Sequence, residues 1–188
     1  MTDYQIEPNG TVLGQWDLEG GGTHHGAVTA DDPARYIAAG GDDDGDVDDF
    51  DLSTDTIDAN ITSAVVHVQA TSLNSQILTV DIYNGSGWVG TKTQDGIPVS
   101  PLTWFELEWT GLNMTQTNVN DMRVKVIAPA EIPDKGASLL VWQLYVVITS
   151  SPAGAPASIE KVYGVASSAI EKKYGTNWSD IAKIYGIS

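Results

Sequence analysis

The chain has 188 residues, 41% of them hydrophobic, with a formal charge of −16 and a pI near 4.1. This is enough for one packed domain and an appendage, while the acidity disfavours nucleic acid, whose phosphates need clustered Lys and Arg. The absence of cysteine excludes disulfides, thiolate metal sites and cysteine nucleophiles.

Residues 1–58 carry 15 acidic side chains against Arg35 alone, and residues 151–188 sum to +1, so the tail is a different kind of segment. The N-terminus has no basic region followed by an apolar run, so no signal peptide is expected. No apolar stretch reaches the ~18–20 residues of a membrane span.

In chain order, strands are expected at Thr11–Asp17, His25–Thr29, Tyr36–Ala39 and Val47–Leu52. Glycine-rich turns separate them, Gly20-Gly21-Gly22 and Gly40 to Gly45. Ala64–Ala70 is rich in β-branched residues, and Ile77–Tyr83 alternates with Leu78, Val80 and Ile82 on one face. Asn84 to Gly87 turns the chain, and Trp88 is expected to begin the next strand. In Trp104–Trp109 the apolar Phe105, Leu107 and Trp109 oppose Glu106 and Glu108. A short helix is expected at Gln116–Asp121, capped by Thr115. Met122–Ile127 and Leu139–Ile148 complete the set. The last is apolar on both faces, as in a central strand covered twice or one that meets another subunit. Strands every 10–15 residues indicate an antiparallel, jelly-roll-like β-sandwich. The sandwich is assigned to residues 1–149 and a small, Pro-containing linker to 150–158.

Residues 159–188 repeat three times with a period of 11. Ile159, Lys161, Tyr163 and Gly164 recur as Ile170, Lys172, Tyr174 and Gly175, then as Ile181, Lys183, Tyr185 and Gly186, with Trp178 between the last two units. Ile and Tyr at i and i+4 share one helical face, and the glycine suits a left-handed stop. Each unit reads as a short helix, too brief to stand alone. These residues are the expected partner-binding set, gripping other copies of the chain or neighbouring proteins.

Three stretches resemble β-sandwich accessory proteins of tailed bacterial and archaeal viruses. They are Asp31-Asp32 through Tyr36-Ile37 to Val47–Leu52, Leu112-Asn113 through Asn118 to Val124 with the later Gln143–Val146, and the C-terminal I-x-K-x-Y-G array. The resemblance implies a virion structural role on capsid, neck or tail. It implies a symmetric homo-oligomer in contact with other virion proteins, made in the host cytoplasm, with no catalytic residues and no cofactor.

The other candidates have simpler readings. Asp44, Asp46 and Asp48 have the spacing of the first calcium-loop ligands, but the sixth position is Asp49 instead of Gly and the twelfth is Asp55 instead of Glu. A solvated acidic loop is the expectation. His24-His25 lacks a third ligand at a telling distance. Glu106 and Glu108 stand ~7 Å apart on one strand face, a separation an inverting glycosidase also uses, yet alternation alone sends both outward. The six tryptophans, Trp16, Trp88, Trp104, Trp109, Trp142 and Trp178, leave open a carbohydrate-binding module for host-surface glycans. Asn9, Asn60, Asn84, Asn113 and Asn177 lie in sequons, as suits an exposed glycosylated surface.

Overall fold

The computed structural model describes residues 2–40, 45–52, 57, 59–129, 139–152, 161–162 and 165–166. The first strands are β1 (Thr2–Ile6), β2 (Pro8–Gly14) and β3 (Asp17–Glu19), followed by helix α1 (His24–Thr29). β4 (Tyr36–Ala39), β5 (Val47–Leu52), β6 (Ala59–Ser72), β7 (Leu78–Asn84), β8 (Lys92–Gln94) and β9 (Thr103–Met114) come next. Helix α2 (Gln116–Asn120), β10 (Met122–Ile127) and β11 (Leu139–Pro152) close the domain.

These strands form an antiparallel sandwich of two sheets. One has the order β3-β4-β11-β6-β9, with β1 also pairing β11, and the other has the order β2-β5-β10-β7-β8. The inner faces follow the period-2 pattern expected of half-buried strands. Met122, Val124 and Val126 of β10 are buried, as are Ala64, Val66 and Val68 of β6 and Leu144, Val146 and Ile148 of β11. Phe50 and Ile82 join them in one continuous core.

Tyr36–Ala39, Val47–Leu52 and Met122–Ile127 are strands with the expected bounds. Helix α2 also forms as expected: the Asn118 side-chain oxygen accepts from the Thr115 backbone amide and hydroxyl, both at 2.9 Å.

Other expectations are corrected. His25–Thr29 is helical, not extended, because Thr23 caps the turn by accepting from the Gly26 amide at 3.2 Å while Ala27 and Val28 face the core. Thr11–Asp17 is split between sheets, since the chain crosses over at Gln15-Trp16. Asp48 fixes that crossover by accepting from both of those backbone amides, at 2.8 and 3.1 Å. Trp88 makes only a single bridge to Tyr83, and β8 starts at Lys92. β1 carries no strong pattern of its own and is held by its ladder to Val146–Ser150. Leu139–Ile148 is a central strand, with one face in the core and the other half-buried. It runs on to Pro152, into the segment read as linker.

In the first tail repeat Lys161–Val162, expected in a helical turn, is extended. It forms β12 against β13 (Val165–Ala166). Ile159, Tyr163, Gly164, Ile170, Lys172, Tyr174, Gly175, Trp178, Ile181, Lys183, Tyr185 and Gly186 lie outside the described residues.

Candidate functional site

The outer face of the six-stranded sheet is built around an irregularity in β11. Val141 pairs with Ala70 but Gln143 pairs with Gln69, so β11 carries one extra residue. Val141 and Leu144 are both buried, and the two residues between them, Trp142 and Gln143, are both half-buried on the opposite side. This is a β-bulge, which bends a strand and re-aims its side chains. On its other edge β11 pairs with β4 as far as Val141 and with β1 only from Val146 onward. Between those stretches lies a cleft of about 300 Å³, lined by Gln5, Glu7, Thr29, Asp31, Gln143 and Tyr145 among others.

Aromatic rings cluster beside the cleft. Tyr145 stacks on His67 of the neighbouring β6 at 4.5 Å between centroids and 11° between planes. Trp104 of β9 meets the same tyrosine edge-on at 5.4 Å and is 42% exposed. Tyr36 packs on Trp142 at 4.8 Å, and the Trp142 indole N–H donates to the Pro33 carbonyl at 3.2 Å. The cross-strand register aligns Trp104 with Gln69, Glu106 with His67, and His67 with Tyr145. Glu106 Oε1 lies 3.6 Å from His67 Nδ1, and its side chain is 71% exposed. Gln143 donates its amide to Asp31 at 3.3 Å. The result is an aromatic platform bordered by carboxylates and amides, a surface able to stack a flat apolar ring and accept hydrogen bonds from its hydroxyls.

The outer face of the five-stranded sheet differs in kind. Arg123 lies over the rings of Tyr83, at 4.6 Å, and Trp88, at 5.3 Å. Lys125 sits 3.7 Å from the Trp88 centroid. Each cation also has a carboxylate: Arg123 pairs with Asp49 at 3.0 Å and Lys125 with Asp81 at 3.6 Å. Burial raises the Asp49 carboxyl above its ordinary range, Arg123 opposes the rise, and the adjacent Asp51 adds to it. Asp49 Oδ1 has no hydrogen-bond partner.

Among the other sequence candidates, Asp48 turns inward, away from any loop site, and is fully buried. Its second oxygen meets His24 Nδ1 at 2.5 Å. Burial raises its carboxyl, and the bonds from His24 and from the amides of Trp16 and Gln15 counter that rise. His25 Nδ1 is bonded to the Thr11 hydroxyl at 3.1 Å, so the histidine pair faces two different partners. Asp44 lies outside the described residues, among which no set of three or more His, Cys, Asp or Glu converges as a metal site. Glu106 and Glu108 both stand exposed on β9.

The tryptophans divide. Trp16 and Trp109 belong to the core, each with its indole N–H on a backbone carbonyl. Trp88 is engaged by cations, Trp142 packs on Tyr36, and Trp104 is open. Sequence reasoning did not single out Tyr145 or His67. The available signal was the second, outward apolar face of Leu139–Ile148.

No family model matches this chain, and no curated protein matches it. Among solved structures, it is similar to the CBM36-1 domain of a multidomain xylanase from the hindgut metagenome of Trinervitermes trinervoides. That match has 13% identity and a TM-score of 0.45, over 80% of this chain and 98% of the other. It is also similar to the C-terminal CBM6 of LamC from marine Zobellia galactanivorans, with 8% identity and a TM-score of 0.44 over 79% and 100%. A third similar structure is a CBM36 module in complex with calcium and xylotriose, at 16% identity and a TM-score of 0.38 over 79% and 100%.

Proposed function

We propose that this chain is a non-catalytic glycan-binding β-sandwich whose site is the outer face of the six-stranded sheet. One observation carries the reading: Trp104, Tyr145 and His67 form contiguous rings on an open sheet face, with Trp104 42% exposed, beside a cleft lined with amides and carboxylates. A sugar offers an apolar C–H face to such rings and hydroxyl donors to Glu106, Gln69 and Gln143. The test is titration of the full chain with a panel of short oligosaccharides by calorimetry. Binding should fall at least about tenfold in Trp104→Ala, as for a central aromatic contact, and persist in Trp88→Ala. Equal affinities in wild type and Trp104→Ala, or no binding to any sugar at millimolar concentration, overturn the proposal.

A second reading rests on the repeats, whose closely spaced Ile and Tyr side chains need a surface to cover them whatever backbone they adopt. On that reading the chain is a virion accessory, the sandwich displayed outward and the array holding it to copies of itself or to other virion proteins. The two roles are compatible, since an exposed glycan-binding body suits host adhesion. Truncation after Pro152 should leave a folded, glycan-binding sandwich that sediments as a monomer. An unchanged oligomer would remove the array from assembly.

A further inference from the structure

We infer that the aromatic platform prefers sugars bearing a free amino group over uncharged ones and rejects acidic sugars. This rests on the glycan reading and assigns its ligand class. None of the six strands of this sheet contains Lys or Arg. Acidic side chains border the platform and its cleft instead: Glu106, Glu108, Glu7 and Asp31. Glu106 stands two residues from Trp104 on the same face of β9, about 7 Å along the strand, and Glu108 follows at the same spacing. A sugar seated on Trp104 and Tyr145 therefore places its ring substituents within reach of Glu106.

Two independent features of this surface attract an ammonium group. The faces of Trp104 and Tyr145 carry the negative quadrupole that holds cations, and the Glu106 carboxylate, 71% exposed, accepts charge-assisted hydrogen bonds. His67 Nδ1, 3.6 Å from Glu106, competes for the same carboxylate. A uronate meets the reverse situation: its carboxylate approaches four acids and ring faces of the same sign, with no strand cation to receive it. The other sheet shows what such a surface becomes when it has cations of its own, for there Arg123 and Lys125 already occupy the rings.

The test uses three disaccharides: the glucosamine dimer, its N-acetylated form and a glucuronic acid dimer. Each is titrated calorimetrically into the full chain at neutral pH and 0.15 M salt. The glucosamine dimer should bind about tenfold more tightly than the N-acetylated form, the sum of a surface ion pair and a cation–π contact, and the uronate should not bind. Glu106→Gln/Glu108→Gln should erase the amino sugar's advantage, so that the amino and neutral sugars bind this variant with equal affinity. The control Asp51→Asn/Asp95→Asn removes the same charge from the opposite sheet and its loops and should leave the preference intact. Equal loss in the control would reduce the effect to net charge and overturn the inference. Trp104-dependent binding without an amino preference, or with uronate binding, overturns the inference and leaves the glycan reading standing. An absence of Trp104-dependent binding for all three sugars overturns both.

Discussion

The two outer faces of the sandwich start from similar materials and reach opposite ends. Each sheet presents aromatic rings and carboxylates to solvent. On the five-stranded sheet two cations from β10 lie across the rings and are neutralised by Asp49 and Asp81, so the face satisfies itself. On the six-stranded sheet no strand supplies a cation, and among the described residues the ring contacts of Trp104 and Tyr145 are with each other and with His67. The lesson is that exposed aromatics mark a binding face only when nothing within the chain already uses them.

The sharpest way to break this contrast is to unpair the self-satisfied face. Arg123→Met leaves Asp49, nearly buried, without its cation, and should cost about 2 kcal/mol by denaturant unfolding, below the value for a fully buried pair because Arg123 is partly exposed. Glycan affinity should not change. The mirror experiment is Tyr145→Ala, which removes the ring that joins His67 and Trp104 and should weaken sugar binding about tenfold while m and the far-UV spectrum hold. Trp88→Ala, which deletes the ring under Lys125 and Arg123, should destabilise by about 1 kcal/mol in the same unfolding assay, again with binding intact.

The smallest effect concerns pH. Asp48 and Asp49 both have carboxyls raised by burial. The folded state therefore holds their protons more firmly than the unfolded chain does. The stability they contribute is complete below the ordinary Asp value of ~3.9 and is lost as pH rises through the folded values. The melting temperature should rise as the pH falls through the raised folded values toward the ordinary Asp value, and Asp49→Asn should flatten that slope. A slope unchanged in this variant would assign the trend to overall charge instead.

Much of the sandwich was legible because its central strands obey strict alternation. Met122–Ile127 and Val47–Leu52 have their bounds set by apolar residues on one face and turn chemistry at either side. The failures were local. α1 was hidden because its histidines and valine read as strand formers, and its cap, Thr23, is one residue among glycines. β1 depends on a partner 140 or more residues away, which no window can see. The site was half visible. Alternation sends Glu106 and Glu108 outward, where the structure has them, and Leu139–Ile148 reads as apolar on both faces. But which tryptophan is open, and which is held by a cation or a carbonyl, depends on cross-strand register, and register is a tertiary property.

The extra residue in β11 separates what the fold needs from what the site needs. Before it, odd-numbered positions point inward; after it, even-numbered ones do. A chain shortened by one residue at Gln143 would keep every core side chain on its proper side and give β6 an uninterrupted ladder from Ser72 to Ser63. The sandwich would lose only a kink. The groove next to Tyr145 would lose the amide that borders it and the bend that holds it open. Length variation at this one point therefore offers a route by which the recognition surface can be remodelled while the hydrophobic interior stays the same.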